Sequence, residues 1–235
     1  MARSPDRPRI SANDLALYMV SSPTAQLGII RRAAEPQTFV TTRYKDVREP
    51  LRAFLADPAR NVSRLHTAEA IFTGRAEDRS ESALRQDDAR KSIEVLRALR
   101  GMANQLAPYS FSAAPQSQAK LNISGVEVSV RADLWVHGVA RGRENIGGAI
   151  LRMTQDDADT ATAADKRREM GTYVATLVRM HVDRVRPVVA EVINRLCMSI
   201  DVQHGQVFTA PNSAARRISD LQSACTVIAA LWSRA

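Results

Sequence analysis

Apolar residues in this chain repeat at three- and four-residue spacing over most of its length, but near the middle they alternate strictly. The first spacing marks one face of a helix and the second one face of a strand. Ser11 and Asp14 form a capping pair ahead of Leu15, Tyr18 and Met19, placing side-chain oxygens where a helix start leaves N–H groups free. Pro23 opens a second helix with Leu27, Ile29 and Ile30, and the Glu35-Pro36 step ends it, since proline suits a first turn but cannot donate within a helix. Tyr44, Val47, Leu51, Phe54 and Leu55 predict a third helix with Pro50 as a possible kink. Asp57-Pro58 opens a fourth, through Val62, Leu65, Ala68, Glu69 and Phe72. Residues 1–10 read as an arm and Gly74 to Ser82 as a charged linker. The strongest helical signal follows, with Leu84, Ile93, Leu96, Leu99 and Met102 on one side and charged residues on the other.

The segment APYSFSAAPQSQ reads as a loop, and the period changes to two at Lys120. Val126, Val128, Val130, Ala132, Leu134 and Val136 lie on one face of a predicted strand; Glu127, Ser129, Arg131, Asp133 and Trp135 lie on the other. The glycine-rich HGVARGRENIGG is a hairpin connection, and the near-continuous apolar run IGGAILRM is a buried return strand. After the acidic loop DDADTATAAD, a helix begins near Ala163 and carries Tyr173, Leu177, Val178 and His181 up to Pro187. A further short helix is expected through Val192, Ile193 and Leu196. A second hairpin turns at His204-Gly205, and Pro211-Asn212-Ser213 caps a last helix with Ile218, Leu221, Cys225, Ile228 and Trp232 inward. The expected fold is mixed α+β: a small central sheet with flanking helices and an N-terminal helical layer. Repeating βαβ units are absent from the pattern. The expected division is an N-terminal helical region, 1–75, packed on an α/β core, 76–235.

With 235 residues, 45% hydrophobic and 25% charged, the chain has enough apolar surface to fold without a metal or disulfide staple. Cys197 and Cys225 lie in apolar stretches without a CxxC spacing, which favours buried free thiols. The start lacks the apolar run of a secretory signal, and no stretch reaches the ~18 apolar residues of a membrane span; a cytoplasmic location is expected, with no membrane partner. The net charge of +8 and the dominance of arginine over lysine permit a polyanionic partner. They also fit the compositional bias of a GC-rich genome. No GxxxxGK[ST] or GxGxxG is present, so no nucleotide loop is expected.

The chemistry-bearing candidates cluster around the central hairpin. Asp133 is either a metal ligand or an acid paired with Arg131 or a loop arginine. Arg141 and Arg143 of RGRE, with Arg131 and Arg152, are candidates for phosphate contact. Asp156, Asp157 and Asp159 lack the glycine and closing glutamate of an EF-hand and read as a helix-capping loop. His66 reads as a partly buried helix residue, His137 and His204 as solvent-facing hairpin residues, and His181 as an ordinary residue of its helix.

A long helix, a hairpin bearing an acid, then a strand and a helix resembles the core order of the PD-(D/E)XK nuclease superfamily, in its exonuclease-like branch. GVEVSVRADLWVHG resembles the first hairpin strand, with Ala132-Asp133 in place of Pro-Asp. GGAILRM resembles the strand of the acid-x-lysine pair, and DKRREMGTYVATLV the following helix, where Tyr173 remains without an evident glutamine. The resemblance implies Asp133 as catalytic and metal residue, a supporting acid such as Glu94, and Mg²⁺ or Mn²⁺ held by two carboxylates and a backbone carbonyl. The second strand instead reads Ala149-Ile150-Leu151, and Arg152 cannot act as a base. The lysines that could substitute, Lys91, Lys120 and Lys166, are fixed by no spacing. The expectation is therefore a nuclease-fold protein that has lost catalysis, needs no cofactor, and acts by binding nucleic acid or a partner protein. The alternatives are a Mg²⁺- or Mn²⁺-dependent DNA nuclease with a rearranged site, and an interaction domain with no nucleic-acid role.

Overall fold

A computed structural model describes residues 7–35, 43–140, 142–153, 160–186 and 190–234. In chain order the elements are β1 (Arg9–Ser11), α1 (Ala12–Met19), α2 (Pro23–Ala34), α3 (Lys45–Ala56), α4 (Ser63–Glu77), α5 (Ala83–Gly101), α6 (Ala103–Leu106), β2 (Ser110–Ala113), β3 (Leu121–Ile123), β4 (Val126–Ser129), β5 (Leu134–Ala140), β6 (Arg143–Arg152), α7 (Ala161–Val185), β7 (Glu191–Asp201), β8 (Gln206–Thr209) and α8 (Ala215–Leu231). The fold is mixed α+β, as the alternation of periods indicates. A five-stranded sheet runs β2-β5-β6-β7-β8 and a three-stranded one runs β1-β4-β3. In the larger sheet only β6 and β7 are parallel, and α7 makes the crossover that a parallel pair requires.

Two cores flank the large sheet. On one face Ile150 and Cys197 pack with Val174 and Val178 of α7, together with α1, α2, α8 and the small sheet. On the other, Leu134, Val136, Ala149, Leu151, Met198 and Ile200 pack with Val47, Leu51, Leu96 and Leu99 of α3 and α5. The first 75 residues are thus divided between both layers: α1 and α2 join the α7 side, α3 and α4 the other.

The predicted strand 126–136 is two strands in two sheets. β4 pairs with β1 and β3, whereas β5 pairs with β2 and β6. Period two persists because both strands bury one face, yet Val126 and Val128 enter the α7-side core and Leu134 and Val136 the opposite one. Gln118 pins the crossing segment: its Oε1 accepts from Ala132 N at 3.0 Å and its Nε2 donates to Ala132 O at 2.8 Å.

Three other expectations are corrected. Arg9 and Ile10, read as arm, form β1 together with the capping residue Ser11, and its approach to β4 is extended by Glu127 N donating to Pro8 O. SFSA, read as loop, is the edge strand β2; its four residues are held by β5, and an edge position tolerates nearby prolines. The segment through Val192, Ile193 and Leu196, read as helix, belongs to β7. Its register with β6 shifts between Ile146 and Gly148, and the extra residues convert alternation into false helical spacing. Gly147 lies at that shift, where an added Cβ would fall 2.0 Å from Leu196 O.

Candidate functional site

Asp133 is the residue immediately before β5, and its backbone belongs to two ladders. Its N–H donates to Ala149 O at 2.8 Å, and its carbonyl accepts from Ala114 N at 3.2 Å and Arg52 Nε at 3.0 Å. Its side chain is turned into the protein and the residue is 6% exposed. Oδ2 accepts from Leu151 N at 2.8 Å. Arg48 of α3 donates from Nη1 to Oδ1 and Oδ2, both at 2.7 Å, and to Leu151 O at 3.2 Å. Local sequence explains the reach: Val47, Leu51, Phe54 and Leu55 bury one stripe of α3, so Arg48 and Arg52 follow the edge of that stripe on to the sheet. Asp133 is therefore a buried junction between the helical layer and the hairpin. Its partner is Arg48, 85 residues away, and neither Arg131 nor a loop arginine.

The remaining candidates do not gather around it. Glu94 is exposed on α5 (58% of its side chain) and pairs with Lys91 at 3.3 Å. Arg131 is exposed in the crossing segment, and Arg143 is exposed where β6 begins, paired in register with Ala140. An antiparallel hairpin puts its tip at the far end of β5 from Asp133, about 20 Å along the strand at ~3.3 Å per residue. Arg143 is thus remote from Asp133, contrary to expectation. Arg141 and the Asp156, Asp157 and Asp159 cluster lie outside the described residues, as do Pro36 and Pro187.

Arg152 is buried, 2% exposed, and so is not placed to meet a phosphate backbone. Its β6 face lies under α7, with Nη2 at 3.2 Å from Met170 Sδ. Asp201, its register partner on β7, is equally buried, with Oδ2 3.9 Å from Arg152 Nη1. Arg152 Nε and Nη1 and Asp201 Oδ2 find no hydrogen-bond partner, whereas Asp201 Oδ1 lies 2.9 Å from His204 Nδ1. Burial lowers the Arg152 pKa and Asp201 opposes that shift. His204 thus holds a carboxylate at the β7–β8 turn, a role its hairpin position did not suggest.

His181 and His66 also depart from expectation, whereas His137 faces solvent as its hairpin position indicates. His181 is fully buried, its ring stacked near Trp135 and its Nε2 3.0 Å from Gln118 Oε1, while Nδ1 has no partner. Burial, and then Arg184, lower its pKa. His66 is exposed and meets Arg100 at 3.2 Å. His137 is exposed, with Nε2 at 2.7 Å from Ser112 Oγ. Cys197 and Cys225 are buried free thiols, as their apolar surroundings indicate, and burial pushes both up to about 12.

These residues do not fit a resident divalent cation. A tightly held cation at this hairpin would call for a second carboxylate beside Asp133, where β6 offers Ala149, Ile150 and Leu151, and the single carboxylate and the Leu151 carbonyl are engaged by Arg48. Asp201 is turned to Arg152 and His204, and both oxygens of Asp133 are already taken. Among the described residues no three His, Cys, Asp or Glu side chains cluster to hold a metal, and no helix is long and apolar enough to cross a membrane. No family model and no curated protein matches the chain.

Proposed function

We propose that the chain is a nuclease-like fold that works by binding, with nucleic acid as the partner, and without a catalytic centre of its own. The observation that carries this reading is the state of Asp133. The acid that a PD-(D/E)XK-like hairpin would present to a cation is spent on Arg48 and on Leu151 N–H. The element order supports part of the resemblance: α5 precedes the β5–β6 hairpin and α7 follows it, although among the described residues no further strand stands between that hairpin and α7. The partner class is argued from the +8 charge and from exposed arginines such as Arg131 and Arg143, since phosphate neutralisation by such groups drives sequence-independent binding.

The test has two arms. Incubated with single- and double-stranded DNA in Mg²⁺ or Mn²⁺, the wild-type chain leaves the substrate intact; cleavage that disappears in a folded Asp133→Asn variant sinks the binding-only reading. In a binding titration against salt, log Kobs falls linearly with log salt with a slope of several units, about 0.9 for each phosphate neutralised on duplex DNA. Absence of binding at low salt removes nucleic acid and leaves a protein partner as the reading to pursue.

A further inference from the structure

We infer that Arg48 is a built-in substitute for a metal ion, so that docking of α3 and binding of a divalent cation compete for the same three oxygens. Arginine and carboxylate ordinarily meet as two forks, each nitrogen facing its own oxygen. Here a single nitrogen, Nη1 of Arg48, takes both oxygens of Asp133 and also the carbonyl of Leu151. One positive centre with a chelating carboxylate and a backbone carbonyl around it is the geometry of an ion, and all three are hard oxygen donors of the kind that hold Mg²⁺ or Mn²⁺. Leu151 strengthens the arrangement twice, since its N–H holds Oδ2 in place while its carbonyl joins the cage. The guanidinium belongs to a helix outside the hairpin, and the Arg48 side chain is 38% exposed. A cation from solvent therefore has a way in once the arginine is gone.

The arrangement gives the charge of Asp133 a covalently tethered partner. The wild-type fold then needs no cation at this hairpin, and α3 is fixed to the sheet by the contact that a metal would otherwise make. The inference rests on the reading of the hairpin as nuclease-like but without a resident cation, which the cleavage assay tests separately.

The experiment compares thermal midpoints of the full chain in EDTA and in rising Mn²⁺ for wild type, Asp133→Asn, Arg48→Met, Arg48→Lys, and Arg48→Met with Asp133→Asn. Methionine keeps an apolar stem and removes the charge; lysine keeps one positive nitrogen. The wild-type midpoint is expected to stay flat. Arg48→Met rises by about 4 °C at tenfold excess over a dissociation constant on the order of millimolar. Arg48→Lys and the double variant stay flat. A wild-type shift lost in Asp133→Asn overturns both the inference and the cation-free reading of the hairpin. A folded Arg48→Met protein indifferent to Mn²⁺ overturns the inference alone. If Arg48→Met does not fold in EDTA, recovery of its circular dichroism on refolding in Mn²⁺ supports the inference, and failure to recover overturns it.

Discussion

Two arginine–aspartate pairs sit back to back at one end of β6, and they are built on opposite principles. On the α3 side, Asp133 receives three hydrogen bonds to its carboxylate, and its arginine is partly solvated. On the α7 side, Arg152 and Asp201 are both sealed from water, 3.9 Å apart, with unpartnered atoms on each. Taking two charges out of water costs several kcal/mol each, and only close, fully hydrogen-bonded geometry offsets that cost. The first pair therefore joins two layers of the molecule, and the second is a charge held in place by its surroundings. The difference teaches that the pair with shorter contacts, which the sequence least suggests, carries the structural link, whereas the strand-neighbour pair is energetically replaceable.

The largest expected effect comes from breaking the buried pair on one side. Arg152→Met strands Asp201 with only His204 for company and loses about 3–5 kcal/mol in chemical denaturation. Adding Asp201→Leu recovers most of that loss, because an apolar pair of similar volume removes the desolvation cost. The same exchange at the other pair, Arg48→Met with Asp133→Leu, does not recover, because Leu151 N–H is left buried without an acceptor, at about 1–3 kcal/mol. Equal recovery at both sites would erase the contrast.

A smaller effect is expected from pH. Burial and Arg184 hold His181 below its ordinary value, so the folded chain refuses a proton that the unfolded chain accepts. The contribution is complete above about pH 6.5 and is lost as pH falls from there towards the lowered folded value. Urea midpoints measured from pH 8 to pH 5 should decline, and a folded His181→Phe variant should decline less; identical slopes would assign the loss to other groups. The smallest effect is at Glu94. Its substitution by alanine should shift stability by no more than the ~0.5 kcal/mol of ordinary surface changes. It should leave nucleic-acid affinity unaltered, whereas a site acid would respond in a Mn²⁺ titration.

The helical periodicity placed α1, α2, α3, α5, α7 and α8 close to where they lie, whereas α4 begins at Ser63 instead of Asp57-Pro58 and runs to Glu77, into the expected linker; the buried stripe of α3 was readable residue by residue at Val47, Leu51, Phe54 and Leu55. Capping by Ser11 was equally readable, because its oxygen acts within three residues, on Asp14 N. The acid of the central hairpin and the apolar Ala149-Ile150-Leu151 opposite it were also evident in the letters. All of these depend on spacing along the chain, which a sequence states directly. Tertiary structure alone decided that 126–136 changes sheets, because both halves bury the same parity of residue and the pattern cannot say against which core. It alone decided that Val192 to Leu196 lie in a strand, because a register shift imitates helical spacing. And it alone decided the partner of Asp133. Arg48 is one of many arginines in an arginine-rich chain, and nothing local distinguishes it; only the docking of α3 on the sheet beside β2 brings its Nη1 to two carboxylate oxygens and the carbonyl of Leu151.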